Sequence, residues 1–168
     1  MDSEKARWKA SCLMYHELGV YRSTVAQIKI HVWWKLSTIY PYLVRQISSV
    51  MAVLLGDQPW GLHVHFRKSH EVLCTLCDTR RKDTPVHILF ECHRLNECRD
   101  KHLSKIRGLM PIAMKTDFDH SSNLLKTQLF LSGFRCDSLI DDWCELFCST
   151  ACFIHDMYVK RKKFHEIQ

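Results

Sequence analysis

Glycine and proline are scarce in this chain, with five glycines and four prolines among 168 residues. A sandwich or barrel needs many tight turns, which these two residue types usually form, so the shortage disfavours an all-β fold. Long helices are permitted, because few residues interrupt them. The composition is otherwise that of an ordinary globular protein, with 46% hydrophobic and 25% charged residues. The length suits one hydrophobic core and is too short for two comfortable ones.

The chain also lacks a long apolar segment. No hydrophobic run approaches the roughly 20 residues that span a bilayer, so we expect no membrane partner. The first residues, Met1 to Lys5, are mostly polar and precede no apolar signal core, which indicates an intracellular protein, nuclear or cytoplasmic. In such a reducing compartment the nine cysteines should be free thiols or metal ligands.

Positive charge exceeds negative charge, with a formal net charge of +6 and an isoelectric point near 8.9. This balance favours a polyanionic partner. Lysines and arginines concentrate between residues 67 and 107 and in the segment Lys160–Lys163, whereas residues 117–145 are acidic. The candidates for nucleic-acid contact are Arg67, Lys68, Arg80, Arg81, Lys82, Arg94 and Arg99.

A metal-ligand pattern occupies the middle of the chain. Cys74 and Cys77 are separated by two residues, and His87 and Cys92 follow after a polar stretch rich in turn residues. Two cysteines at that spacing can turn both sulfurs onto one ion, and three thiolates with one imidazole complete a tetrahedral zinc site. We therefore predict that Zn²⁺ is bound by Cys74, Cys77, His87 and Cys92. The alternative is that these cysteines are small buried packing residues.

The step of five residues from His87 to Cys92 does not suit a regular helix. It turns about 500° there and leaves the two side chains about 140° apart. We therefore predict that His87 lies at or before the first turn of a helix that includes Cys92. The helix should run to Arg107 and end at Gly108 and Pro111.

Other cysteines and histidines could also take part in the site. Cys98 or His93 could replace one of the four ligands. His63, His65 and His70 lie just upstream of the first cysteine, but their spacing suits a surface or a nucleic-acid contact better.

Hydrophobic periodicity predicts a mainly α protein. The predicted helices span residues 5–18, 24–40, 42–55, 87–107, 124–130 and 139–158, and residues 112–123 are predicted to form a loop. The last helix has the clearest amphipathic pattern. Cys144, Cys148 and Cys152 form a second stripe along it, and we interpret them as packing residues, because thiols on one helix cannot surround an ion alone.

These elements predict a helical bundle with a small Cys-Cys-His-Cys zinc knuckle inserted between helices. We divide the chain into three segments. Residues 1–66 form an N-terminal helical segment, residues 67–108 form the zinc knuckle and the following helix, and residues 109–168 form a C-terminal helical segment with a basic tail.

Several short motifs surround the predicted metal site. They are the helix end Met51–Gly56, the Cys-Cys-His-Cys spacing with Asp83 and Thr84 before its histidine, and Arg99 a few residues after it. Together they resemble the region beyond the polymerase in non-LTR (LINE-type) retrotransposon reverse transcriptases, over residues 15–107. The resemblance implies a zinc knuckle that binds RNA or single- or double-stranded DNA. A parent or partner retroelement protein is a further candidate partner.

The catalytic motifs of that family are missing from this sequence. Asp141 and Asp142 match only the two aspartates of the polymerase motif, and no restriction-like nuclease pattern follows the knuckle. Three thiolates and one imidazole would also leave no open position on the metal. We therefore expect a zinc-stabilised nucleic-acid-binding module and not an enzyme. The alternative is a protein-interaction or structural module in which zinc only staples helices and the helix at 139–158 docks on a partner.

Overall fold

The computed structural model describes residues 32–55, 73–134 and 143–166. Its helices are α1 (Val32–Ile39), α2 (Val44–Leu55), α3 (Asn96–Leu109), α4 (Ile112–His120), α5 (Asn123–Leu131) and α6 (Cys144–Glu166). Shorter turns are of the 3-10 type at Pro41–Leu43 and His93–Leu95 and of the π type at His87–Glu91. In these ranges the one β-type pairing is an antiparallel bridge between Leu73 and Lys82. The predicted mainly α class is confirmed.

Helix α6 is the centre of the fold, because α2 and α3 both pack along it. Its buried apolar side chains include Phe147, Ala151, Ile154 and Met157, which follow one another at steps of four, three and three residues. Leu146 and Phe153, seven residues apart, are buried beside them. Burying a side chain of this size contributes about 1.5–3 kcal/mol. Described residues of all three predicted segments contribute to the same core.

An aromatic cluster attaches the metal-ligand region to this core. The Phe130 ring of α5 stacks on Phe118 of α4 at 5.3 Å between centroids, and lies 5.9 Å from Phe153 of α6. Phe90, in the π-helical turn, lies 5.7 Å from Phe130. The turn that begins at His87 is therefore held against α5 and α6.

Gly133 allows α1 to approach the end of α5. Its φ is +67°, and a Cβ at this position would lie 2.1 Å from a methyl carbon of Val32. The close approach lets the Trp33 indole N–H donate to the Leu131 carbonyl oxygen at 2.9 Å. The predicted stop at Gly133 is confirmed, because α5 ends two residues before it.

The predicted loop at residues 112–123 is wrong, because α4 occupies Ile112–His120. The sequence of α4 has weak apolar periodicity, and Phe118 is the one residue of this helix that is buried in the core. The stacking of Phe118 on Phe130 holds the helix in place. The predicted helices at 42–55 and 124–130 are confirmed to within two residues at each end. The predicted helix at 5–18 and residues 24–31 and 139–142 lie outside the described residues.

None of the helices in the described ranges has both the length and the apolar character that crossing a bilayer requires.

Candidate metal centre

The four side chains predicted to bind zinc meet at one point. The ligand atoms of Cys74, Cys77, His87 and Cys92 all lie within 4.8 Å of one another, and all four residues are buried. The Cys77 Sγ atom is 3.3 Å from His87 Nε2. Sulfurs bound at about 2.3 Å to a tetrahedral zinc stand about 3.8 Å apart, so the four atoms are close enough to be compatible with one shared ion. The cluster could therefore hold a metal such as zinc.

The first two ligands lie on a narrow loop. The antiparallel bridge between Leu73 and Lys82 closes the loop, and the Cys74 backbone N–H donates to the Arg81 carbonyl oxygen at 2.8 Å. Arg80 has a φ of 51°, in the left-handed region, where the chain turns back. Pairing of the loop ends directs both thiols to the same side.

A π-helical turn explains the five-residue step between the last two ligands. The Cys92 N–H donates to the His87 carbonyl oxygen at 2.6 Å, which is the five-residue hydrogen bond of a π-helix. The wider turn brings Cys92 back to the side of His87. Cys92 itself is extended, with φ −65° and ψ 113°, and α3 begins only at Asn96. The prediction that Cys92 lies inside a helix is therefore wrong.

The start of this turn is capped by Thr84. Its hydroxyl oxygen accepts from the His87 N–H at 3.2 Å, and its carbonyl oxygen accepts from the Ile88 N–H at 3.0 Å. Threonine is a favoured residue at such a position, and Pro85 after it suits the first helical residue. The sequence Thr84-Pro85 thus fixes where the turn begins and where His87 points.

Arg99 holds the other end of the turn. Only 7% of this residue is exposed, and its guanidinium donates to the carbonyl oxygens of Leu89 and Cys92, each at 2.8 Å. A further donation reaches the side-chain oxygen of Asn96. The Cys92 carbonyl oxygen also accepts from the Leu95 N–H at 3.1 Å, so Arg99 adds charged donors to carbonyl groups at the irregular end of the turn. Arg99 was a candidate for nucleic-acid contact, and its burial removes it from the cations that can meet a phosphate at the surface.

Four of the other candidate cations are exposed. Arg80, Lys82 and Arg94 lie at the surface beside the cluster. Arg81 is also exposed, and its guanidinium donates to Glu91 at 2.8 Å. The remaining candidates, Arg67 and Lys68, and the histidines His63, His65 and His70 lie outside the described residues.

The surroundings of His87 suit a ligand imidazole. Burial lowers the pKa of His87, although the charges of Glu91 and Asp83 oppose this shift. The neutral ring, with an Nε2 lone pair available, is the form that binds metals. The buried Nδ1 has no hydrogen-bond partner, and Glu91 Oε2 lies 3.7 Å from it. A carboxylate beside the distal nitrogen of a ligand histidine orients the ring and raises its basicity.

Two of the three thiols, those of Cys74 and Cys92, are in an environment that resists their ionisation without a cation. Burial raises the pKa of Cys74, and burial together with the neighbouring Cys74 raises the pKa of Cys92 to about 12. Burial also acts on Cys77, but hydrogen bonds from the Thr79 hydroxyl and N–H outweigh it and lower its pKa. A divalent cation would compensate the charge of the three thiolates. The donor set and its burial therefore fit a metal ion.

The alternative ligands do not join the cluster. Cys98 is buried on α3, and His93 is exposed with its Nε2 3.7 Å from Asp78 Oδ1. The Sγ atoms of Cys144 and Cys148 lie 3.7 Å apart. In the described part of the chain, however, no third ligand atom completes a site with them.

Arg161 belongs to the predicted basic tail, but the structure places it in the interior, beside the cluster. Its side chain on α6 is fully buried and donates to the carboxylate of Asp83 and to the hydroxyl of Thr75, the latter at 3.2 Å. The sequence does indicate that Arg161 is buried, because Ile154, Met157 and Arg161 follow one another at three- and four-residue steps and so share one face of the helix. An arginine on a buried stripe indicates an interior partner of opposite charge.

Comparisons of the chain with models of known protein families, with curated proteins and with solved structures give no match. The resemblance of residues 15–107 to LINE-type reverse transcriptases therefore stays a prediction from short motifs.

Proposed function

We propose that this chain is a zinc-stapled helical module that binds nucleic acid through the basic loop at its metal centre. The basic loop consists of Arg80, Arg81 and Lys82. One observation carries the proposal: these three exposed cations lie on the segment whose two ends are the ligands Cys77 and His87. An ion bound at the cluster would therefore fix the cations in place.

Zinc is the ion that this donor set favours, because three thiolates and one imidazole make a closed four-coordinate site. Such sites leave no position for a substrate and serve folding. The segment between Cys77 and His87 has few buried apolar residues of its own, since its described residues 78–82 are all exposed. Metal binding would supply the free energy that keeps this segment ordered.

Cations on an ordered loop bind phosphates with little further loss of conformational entropy. Arg80 and Lys82 would contact the phosphate backbone, and Arg94 lies just after the last ligand, Cys92. Phosphate contacts supply affinity and carry little sequence information. The Arg81 guanidinium already donates to Glu91. We therefore assign Arg81 a smaller share of the phosphate contacts.

The alternative in which α6 docks on a partner has less support. Its apolar residues Phe147 and Ile154 are fully buried, and Trp143 is half-buried. A helix that uses these residues inside its own fold cannot present them to another protein without unfolding. A zinc-stabilised module that binds nucleic acid is therefore the better proposal.

The experiment measures binding of a fluorescent single-stranded RNA or DNA oligonucleotide between 50 and 200 mM salt. We expect affinity to fall as salt rises, because binding releases condensed counterions. The double variant Arg80→Gln, Lys82→Gln should bind more weakly and reduce the salt slope by about 1.4, or 0.7 for each lost contact. Lys115→Gln is the control, since Lys115 is an exposed cation on α4 that does not belong to the basic loop. No binding at the lower salt, or binding indifferent to salt, would overturn the proposal.

Chelation tests the link between metal and binding. We expect the zinc-free protein to lose oligonucleotide affinity and to regain it when zinc is restored. The Arg80→Gln, Lys82→Gln variant should keep its zinc. If zinc-free and zinc-loaded protein bind the oligonucleotide equally, the basic loop does not depend on the metal.

A further inference from the structure

A groove with a volume of about 510 Å³ runs between α2 and α6. Arg45, Ser48, Ser49 and Ala52 line it from α2 at steps of three, one and three residues, so they share one face of that helix. The small side chains of Ser48, Ser49 and Ala52 leave the space open. The groove is about as large as the sites that bind small molecules in proteins, roughly 300–1,000 Å³.

Helix α6 supplies the opposite wall with His155, Tyr158 and Lys163. Tyr158 and Val159 add apolar surface to a wall that also carries an imidazole and an ammonium group. Aromatic and polar groups side by side are typical of sites for small polar ligands with a flat ring.

Ser49 and His155 form a partly buried hydrogen bond across the groove. Ser49 is 6% exposed, and its Oγ lies 2.8 Å from His155 Nδ1. Burial lowers the pKa of His155, so its ring is neutral near pH 7. Ser49 Oγ also lies 3.4 Å from the Arg45 carbonyl oxygen, to which it can donate. The neutral His155 ring therefore presents either an N–H or a lone pair at Nε2, depending on its tautomer.

The charged side chains among the described residues of the groove are positive. Arg45 and Lys163 are both exposed, and neither forms an ion pair with another described residue. None of the described residues that line the groove is acidic. Asp156, next to His155 in the chain, lies 2.9 Å from His102. Two cations without a carboxylate between them attract an anion.

We propose that the groove between α2 and α6 binds a phosphate group, with Arg45 and Lys163 as its cationic contacts and His155 on its wall. Arginine binds phosphate through two parallel N–H groups, and lysine acts as a point charge. The volume leaves room beside the phosphate for a base against Tyr158. The phosphate can belong to a mononucleotide or to a nucleic-acid strand, and only the second source rests on the function proposed above.

The test follows the His155 ring signals by NMR in the full chain while sodium pyrophosphate, adenosine monophosphate or a single-stranded oligonucleotide is added. We expect pyrophosphate to shift these signals. Arg45→Gln and Lys163→Gln should each weaken its binding about tenfold, which is the effect of losing one charged hydrogen bond. Lys115→Gln should bind as the wild type does. Both groove residues are exposed, so the variants should keep their thermal stability.

The three ligands separate the sources of the phosphate. Mononucleotide binding that Arg45→Gln weakens supports a small-molecule site, and oligonucleotide binding that it weakens supports a strand. The Arg80→Gln, Lys82→Gln variant should bind pyrophosphate normally, so failure of the basic loop and failure of the groove are distinguishable. The proposal is overturned if none of the three ligands shifts the His155 signals, or if both groove variants bind them with wild-type affinity.

Discussion

The guanidinium of Arg161 contacts the carboxylate of Asp83 in the interior of the fold, where neither side chain is exposed to solvent. The contact joins the C-terminal part of α6 to the segment between Cys77 and His87, so the metal-ligand region is attached to the longest helix. An ion pair withdrawn from water is stable only when both partners are present, because either charge alone is poorly solvated there.

Replacing Arg161 by methionine should lower the free energy of unfolding by about 3–5 kcal/mol, since the Asp83 carboxylate stays buried without its cation. Urea denaturation of the zinc-loaded protein measures the loss. Lys160→Met is the matched control, because Lys160 is the exposed neighbour on the same helix. The double variant Arg161→Met, Asp83→Leu should recover much of the loss. If Arg161→Met and Lys160→Met are equally stable, the buried pair does not contribute.

Metal content should distinguish ligand cysteines from packing cysteines. We expect the purified chain to carry about one zinc ion, and Cys74→Ser and Cys92→Ser to lose it, because serine is a poor zinc ligand. Cys98→Ser should retain zinc, since Cys98 is buried on α3 outside the cluster. Native mass spectrometry gives the stoichiometry directly. If Cys74→Ser and Cys92→Ser retain as much zinc as Cys98→Ser does, the assignment is contradicted.

The π-helical turn makes the metal site sensitive to chain length between His87 and Cys92. Deleting Glu91 shortens the step to four residues and should abolish high-affinity zinc binding, because Cys92 then no longer reaches the cluster. Glu91→Ala keeps the step and removes only the carboxylate near His87, so it should weaken binding about 10- to 100-fold. Competition with a zinc chelator measures both. Equal affinities of the two variants would show that the spacing is unimportant.

Arg99→Met should destabilise the zinc-loaded protein by about 3 kcal/mol, because the buried carbonyl groups of Leu89 and Cys92 lose their charged donor. Arg94→Met, at an exposed position, should change stability by no more than about 0.5 kcal/mol. Thermal unfolding of the two variants provides the comparison. A smaller loss for Arg99→Met than for Arg94→Met would be incompatible with the structural role of Arg99.

Stability should fall as the solution becomes acidic, in part through His155. Burial lowers the pKa of His155 in the folded chain, the charge of Arg45 acts in the same direction, and Asp156 opposes it. The unfolded chain therefore binds the proton more readily. Stability is greatest above the ordinary histidine pKa of about 6.5 and is lost as the pH falls through the lowered folded value.

His87 is present in both wild type and His155→Gln and affects the pH dependence of stability in the same direction in each. The difference between the two proteins therefore isolates the contribution of His155. We expect urea midpoints between pH 7 and pH 5 to fall less steeply in His155→Gln. Parallel curves for the two proteins would mean that His155 ionises equally well in the folded and unfolded chains.

The clustering of Cys74, Cys77, His87 and Cys92 could be predicted, because thiols and imidazole at this short spacing are a specific pattern. The turn that joins His87 to Cys92 could not, since a π-helical hydrogen bond leaves no mark in hydrophobic periodicity. Charge was the least informative signal. Arg80 and Arg99 look alike in the sequence, but one is exposed on a loop and the other donates to buried carbonyl groups, and only the packing of the chain decides which.

The contact between Arg161 and Asp83 also bears on the order in which the protein is assembled. The metal ligands all lie within one short stretch, whereas Asp83 and its partner are 78 positions apart. At 5–20 residues per second, a ribosome adds those residues in roughly 4 to 16 s. During that delay the nascent chain already contains all four residues of the Cys-Cys-His-Cys cluster, while the Asp83 carboxylate remains hydrated until α6 emerges and encloses it.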